Sequence, residues 1–224
     1  MNSVLKPIIH ETEYLIRTYD IDSRKIATLP ALVRLMQEAA MEQVLSLGIS
    51  VWDLEPHGIS WILMRNHLQV IRFPKLGEKI RVRTHPSGFE RVYTYRDFRI
   101  FDEAGEQIAS SSTAWLLMNT KTRRLTRIPP FILNLEDRLP SADTYLPRVS
   151  TKMDKDMAEI QWEKSFRVNW HDLDFNEHLN NTYYIQWMLE SLPQQVLRQK
   201  QLVDLQVQYQ AEALLGERVV SQCF

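Results

Sequence analysis

Residues 169–193 read NWHDLDFNEHLNNTYYIQWMLESLP, and residues 17–41 read RTYDIDSRKIATLPALVRLMQEAAM. The two stretches align without a gap and share acidic and aliphatic positions: Asp172 with Asp20, Asp174 with Asp22, Ile185 with Val33, Met188 with Met36 and Glu190 with Glu38. Self-similarity of this length indicates that one structural unit occurs twice in the chain.

The differences between the two copies are as informative as the matches. Arg24, Ile26, Thr28 and Leu29 of the first copy are replaced in the second by Asn176, His178, Asn180 and Asn181. A second alignment, of residues 68–82 with residues 207–221, places Glu212 at the position of Phe73. We therefore predict that the first copy is mainly scaffold and that the second carries a functional site.

The composition is that of an ordinary globular protein, with 44% hydrophobic and 25% charged residues among 224. A formal net charge of −1 gives no reason to expect nucleic acid as a partner. The single cysteine, Cys223, excludes a disulfide framework. Neither an apolar run of about 20 residues nor a signal-peptide core is visible. We expect a cytoplasmic protein that does not insert into a membrane.

Hydrophobic periodicity predicts a strand at 14–19 and a helix at 30–47, with Thr28 as N-cap and Gly48 at the helix end. Four strands follow, at 60–73, 78–85, 91–101 and 107–118, with turns at 74–77, 86–88 and 102–105. The second copy is predicted to hold a strand at 166–170, a helix at 181–192, and strands at 205–212 and 217–222. This order predicts an α+β unit in which an antiparallel sheet wraps a long helix.

The domain organisation follows from the repeat. We predict an N-terminal unit at 1–120, a proline-containing connection at 121–163 and a C-terminal unit at 164–224. By Phe224 the second unit has reached fewer strands than the first, which would leave an unpaired sheet edge. We therefore expect the natural chain to continue beyond this residue.

The polar residues of the second copy suggest acyl chemistry. Asp174, Asn176 and His178 alternate, so in an extended segment their side chains would point to one side. Asn180 or Asn181 offers an N-cap for the next helix, whose free N–H groups could stabilise an oxyanion. Glu212 could supply a carboxylate that activates water.

Other interpretations of these residues remain open. They could simply cap a helix and satisfy a loop. A metal site would draw on His171, Asp172, Asp174 and His178, but these lack a known ligand spacing. The chain contains no G-x-S-x-G, P-loop or G-x-G-x-x-G motif, and no base lies near Cys223 in sequence.

Residues 172–193, DLDFNEHLNNTYYIQWMLESLP, resemble the signature of acyl-acyl carrier protein (acyl-ACP) thioesterases, which release free fatty acids. The resemblance extends over the N-terminal strand and helix, residues 61–73 and residues 209–216. It implies two tandem hotdog folds, each a long helix wrapped by an antiparallel sheet. It also implies catalytic roles for Asp174, Asn176, His178 and Glu212. Ala213 stands where plant members carry cysteine, so a thiol nucleophile at that position is excluded.

The resemblance leads to a mechanistic hypothesis. Glu212, alone or with His178, deprotonates a water that Asn176 orients, while Asp174 holds the loop; which residue is the general base stays open. Asn180 and Asn181 start the helix whose amides bind the oxyanion. No cofactor is needed, because a thioester is already an activated acyl group.

The first copy is expected to hold the acyl chain, through the pocket residues Leu32, Met36, Ala39, Trp61 and Met64. The implied partner is acyl carrier protein, an acidic protein that would dock on a basic patch. Two clusters could form it, at Lys121, Arg123, Arg124 and Arg127 or at Lys75, Lys79, Arg81 and Arg83. The expected state is a monomer or homodimer. The alternatives are an acyl-CoA thioesterase, or a hotdog dehydratase or lipid-binding protein without hydrolysis.

Overall fold

The computed structural model describes residues 6–149 and 159–224. These residues form two compact units. The first contains residues 6–149 and 203–208, and the second contains residues 159–202 and 209–224. Over the ranges described, every helix is too short or too polar to cross a lipid bilayer. The domain boundaries at 120 and 163 stay a prediction.

The chain contains five α-helices and eight strands within these ranges. The helices are α1 (Leu29–Leu47), α2 (Val51–Leu54), α3 (Pro130–Leu133), α4 (Asn181–Glu190) and α5 (Gln194–Gln199). The strands are β1 (His10–Leu15), β2 (Ile59–Val70), β3 (Lys79–Glu90), β4 (Tyr93–Phe101), β5 (Gln107–Asn119), β6 (Trp162–Arg167), β7 (Asp204–Gln208) and β8 (Arg218–Cys223). Short 3-10 turns lie at Glu55–His57, Glu136–Arg138, Ala142–Thr144 and Trp170–Asp172.

The first unit is a helix packed on an antiparallel sheet with strand order β1-β3-β4-β5-β2-β7. Helix α1 begins where predicted, because Thr28 Oγ1 accepts a hydrogen bond from the Ala31 amide at 3.2 Å. It ends at Gly48, whose φ of 66° is the left-handed conformation that glycine adopts without strain. Its face towards the unit's interior buries an apolar stripe that includes Leu32 and Met36.

Two predictions about the first unit were wrong. The first strand lies at His10–Leu15 rather than 14–19, because residues 18–20 form a turn. The turn predicted at 86–88 lies inside β3, which continues to Glu90 through a register shift between Pro86 and Phe89. A bulge tolerates proline, since the missing N–H is not needed for the regular ladder.

The second unit contains the antiparallel pair β6–β8 and helix α4. The strand predicted at 166–170 ends at Arg167, because residues 170–172 form a 3-10 turn. The strand predicted at 205–212 ends at Gln208 and pairs with β2 in the first unit's sheet. The helix predicted at 181–192 is confirmed as α4, and the strand predicted at 217–222 as β8.

The two copies share a set of equivalent main-chain hydrogen bonds, which confirms the duplication. In the first copy the Asp22 amide donates to the Ile26 carbonyl at 3.0 Å, and in the second the Asp174 amide donates to the His178 carbonyl at 2.7 Å. The second alignment holds as well. The Ala27 amide donates to the Pro74 carbonyl in the first copy, and the Leu179 amide donates to the Ala213 carbonyl in the second, each at 2.8 Å. Likewise, the Gly77 amide donates to the Ile16 carbonyl in the first copy, and the Gly216 amide donates to the Val168 carbonyl in the second, each at 2.9 Å.

Candidate functional site

The loop before α4 is a tight turn built around one carboxylate. Asp174 Oδ1 accepts hydrogen bonds from the amides of Asn176 at 2.8 Å and His178 at 3.2 Å. Glu177 has a φ of 61°, which closes the turn. The predicted extended conformation is therefore wrong, and these residues are brought together by a turn. The structure gives Asp174 a positioning role within the loop.

His178 and Glu212 come together from two separate segments. His178 forms an isolated β-bridge with Leu214, which places residues 212–214 beside the loop. His178 Nε2 lies 3.3 Å from Glu212 Oε2. The two side chains are 22% and 28% exposed, so a water or a substrate can reach the pair. A histidine in contact with a carboxylate can accept and return a proton.

The other predicted site residues take different positions. Asn180 is the N-cap of α4, and its Oδ1 accepts from the Thr182 amide at 3.0 Å and the Thr182 hydroxyl at 2.8 Å. The Tyr183 amide donates to the Asn180 carbonyl at 2.9 Å. Two amides of this helix start are thus already engaged, and the oxyanion role of Asn180 and Asn181 stays a prediction. Asn176 is exposed on the turn.

Two tyrosines near Glu212 were missed by the sequence analysis. Tyr184 Oη lies 3.4 Å from the Ala211 carbonyl, and Tyr209 Oη lies 3.3 Å from the Asn181 carbonyl. Burial raises the pKa of both hydroxyls, and the charge of Glu212 raises the pKa of Tyr184 further. Comparing the two copies position by position would have found them, since both replace aliphatic residues.

The alternative of a metal site gains no support from the geometry. In residues 6–149 and 159–224, no three histidine, cysteine, aspartate or glutamate side chains approach closely enough to hold an ion. Asp172 instead accepts a hydrogen bond from the Asn169 amide at 2.8 Å. Asp20 accepts the equivalent bond from the Arg17 amide at 2.9 Å. The shared aspartate is therefore a structural residue of both copies.

The two basic clusters differ in their surroundings. In the second cluster, Arg81 and Arg83 both pair with Glu11 and lie over the ring of Phe101, which reduces their capacity to bind a partner. The first cluster, Lys121, Arg123, Arg124 and Arg127, is exposed. Its turn is fixed by Asn119 Oδ1, which accepts from the amides of residues 121 and 122 at 3.1 and 2.8 Å.

Comparison with known proteins identifies the family to which the chain belongs. Residues 7–135 match the acyl-ACP thioesterase N-terminal domain, and residues 155–223 match the acyl-ACP thioesterase C-terminal domain. The chain belongs to the acyl-ACP thioesterase family. The matches cover both copies of the repeat, so the predicted family is confirmed over most of the chain.

Individual acyl-ACP thioesterases are distant relatives. A chloroplastic palmitoyl-acyl carrier protein thioesterase of Cuphea hookeriana is 29% identical over 220 residues, which cover 92% of this chain and 52% of the relative. A chloroplastic oleoyl-acyl carrier protein thioesterase of Arabidopsis thaliana is 26% identical over 223 residues, or 91% of this chain and 59% of the relative. The chain spans about half the length of the first of these.

A solved structure supports the predicted architecture. The 12:0-ACP thioesterase from Umbellularia californica matches with a TM-score of 0.82 and 22% identity, over 97% of this chain and 88% of the other. The likeness confirms the predicted α+β hotdog fold.

Proposed function

We propose that this acyl-ACP thioesterase family member hydrolyses the thioester of a fatty acyl-acyl carrier protein to a free fatty acid and the carrier thiol. The observation that carries the proposal is the 3.3 Å contact of His178 Nε2 with Glu212 Oε2. These two residues replace apolar residues of the first copy, and a loop braced by Asp174 holds the histidine. Relatives named as acyl carrier protein thioesterases support the same reaction.

The chemistry needs one water and no cofactor. Glu212, acting alone or through His178, removes a proton from water, and the oxygen attacks the thioester carbonyl carbon. The tetrahedral oxyanion then collapses, and the bond between carbon and sulfur breaks. The proton held by the pair passes to the leaving thiolate, which restores Glu212 and His178. Asn176, which is exposed on the turn that contains Asp174 and His178, is the candidate for orienting the water.

The acyl chain is proposed to lie in the first unit. Leu32, Met36 and Ala39 are fully buried on one face of α1, while Met64 sits at a register shift of β2 and is only partly buried. Trp61 Nε1 donates to the Ile49 carbonyl at 2.9 Å. Because Ala39 has no exposed surface, enlarging it would strain the core, and Met64 is the better position for probing chain length.

The carrier protein is proposed to dock on the exposed cluster at Lys121, Arg123, Arg124 and Arg127. The tight turn presents these charges from a fixed backbone, which lowers the entropy lost on binding. An acidic partner would be attracted over a Debye length of about 8 Å at physiological salt. A cytoplasmic location and a monomeric or homodimeric state stay predictions.

The test is thiol release from a panel of acyl-ACP thioesters and the matched coenzyme A thioesters. Glu212→Gln keeps the size of the side chain and removes the charge, and we expect kcat to fall on the order of 100-fold or more. The matched control is Glu163→Gln, a second carboxylate of the same unit, whose Oε2 accepts a hydrogen bond from Gln222 Nε2 at 2.7 Å. It should leave turnover unchanged.

Each outcome decides between the candidate functions. Release from the carrier-bound set, lost in Glu212→Gln alone, supports the proposal. Equal or faster release from the coenzyme A set moves the protein to the acyl-CoA thioesterases. Absence of release from both sets, with a folded protein, refutes hydrolysis and favours a dehydratase or lipid-binding role.

A further inference from the structure

Two tyrosines distinguish the second copy from the first. In the alignment of the copies, Tyr184 of α4 stands where α1 has Leu32, and Tyr209 stands where β2 has Val70. Both aliphatic residues are buried, at 0% and 6% exposure. Aliphatic side chains are thus sufficient to build this part of the fold. The two hydroxyls occur only in the copy that carries Glu212.

The two tyrosines make reciprocal contacts. Tyr209 Oη donates to the carbonyl of Asn181, the first residue of α4, at 3.3 Å. Tyr184 Oη, from within α4, donates to the carbonyl of Ala211 at 3.4 Å. The rings meet edge to face, with centroids 6.0 Å apart and an interplanar angle of 79°. Helix α4 and the segment with Glu212 are therefore tied from both sides.

This tie reaches the chain at Ala211, the residue that directly precedes Glu212. After Glu212, the Leu179 amide donates to the Ala213 carbonyl at 2.8 Å, and Leu214 bridges to His178. Before Glu212, β7 has already ended at Gln208. The hydroxyl of Tyr184 reaches the Ala211 carbonyl at 3.4 Å, and it also interacts with the backbone of Ala213, so it contacts the chain on both sides of Glu212.

We propose that Tyr184 and Tyr209 are positioning residues that hold Glu212 at its working distance from His178. The inference rests on the proposed thioester hydrolysis. Neither tyrosine needs to touch the substrate. Burial raises the pKa of both hydroxyls, which favours the protonated form that donates these hydrogen bonds.

The test compares Tyr184→Phe and Tyr209→Phe with a matched control on the same helix. Tyr183 Oη also donates to a main-chain carbonyl, that of His171, at 3.3 Å, but this carbonyl does not flank Glu212. We expect kcat to fall about tenfold in each of the first two variants, with KM unchanged, because a small displacement of a catalytic group is enough to slow the reaction. Tyr183→Phe should behave as the wild type.

A second measurement separates positioning from general stability. In a Glu212→Ala background, adding Tyr184→Phe should leave the residual rate unchanged, because the residue that it positions is already gone. A further drop in that rate, or a wild-type kcat in both phenylalanine variants, would overturn the inference. If the wild type releases no thiol from any thioester, the proposed function fails first, so the two failures are distinguishable.

Discussion

Asp174 and Asp22 occupy the same position in the two copies, so the same substitution can be made in both. Asp174 Oδ1 accepts hydrogen bonds from the amides of Asn176 and His178 at 2.8 and 3.2 Å. Asp22 Oδ1 accepts one from the Arg24 amide at 2.8 Å, and Asp22 Oδ2 forms an exposed ion pair with the Arg24 guanidinium. We expect Asp174→Ala and Asp22→Ala to destabilise the protein to a similar degree and to differ sharply in turnover.

The size of the effect follows from these bonds. A hydrogen bond to a charged group contributes about 1.5–3 kcal/mol, and water replaces part of it at a half-exposed loop. We therefore expect a loss of about 1–2 kcal/mol for each variant, because Asp22 has one amide bond fewer but also an exposed ion pair with Arg24, which is worth less than about 1 kcal/mol. For a chain of this size, each kcal/mol lowers Tm by about 2–4 °C. Because Asp174 also fixes His178, kcat should fall on the order of 10- to 100-fold in that variant alone.

The assay combines urea unfolding with thiol release under identical conditions. Asp174→Asn, which keeps an acceptor oxygen, should recover part of the lost turnover. Equal loss of kcat in Asp22→Ala would mean that activity follows overall stability and that the loop of the second copy has no special role. Near-normal turnover in Asp174→Ala would refute the bracing of His178 by this carboxylate.

Three further predictions concern the partner, the acyl chain and acid stability. Arg124→Glu should lower kcat/KM for the carrier-bound substrate several-fold and weaken the salt dependence of kcat/KM. Lys79→Glu, in the other basic cluster, should leave both unchanged. Steady-state assays at several salt concentrations would show the difference. Met64→Trp should shift the thiol-release profile towards shorter acyl chains, and an unchanged profile would argue against a pocket at β2. The hydrogen bond from Arg72 lowers the pKa of Glu78 below 4.5, so the stability that this pair contributes is present above that pH and is lost as the pH falls through the folded-state pKa. Arg72→Met should therefore flatten the acid limb of a urea-unfolding pH series, and an unchanged limb would contradict the linkage.

Much of the fold and site could be predicted because the signals are local. Apolar periodicity identified α1 and α4, and the caps at Thr28 and Asn180 lie where their side chains suggested. The alignment of the two copies singled out Glu212 and His178 before any coordinates, since an acid and a histidine had replaced apolar residues. The resemblance to acyl-ACP thioesterases, which implies catalytic roles for both residues, predicted that they act together.

Other features could not be predicted, because they depend on partners distant in the chain. Periodicity does not say which sheet a strand joins, and β7 pairs with β2 although it follows α4 in sequence. Pro86 appeared to mark a turn, but the strands beside it accommodate a bulge instead. The turn at Asp174 could not be predicted, because it is defined by hydrogen bonds from the amides of Asn176 and His178 to the Asp174 carboxylate.

The sequence alone was enough to establish the duplication, the α+β class and the copy that carries the polar chemistry. These follow from side-chain patterns that each copy repeats, and a pattern is visible without knowing what it packs against. The distance between His178 and Glu212, the engaged amides at the start of α4 and the contacts of Tyr184 became known only from the folded chain. The geometry of each contact is set by how the His178 loop, helix α4 and residues 209–214 pack together. Hydrogen bonds depend on differences of tenths of an ångström, which no residue pattern encodes.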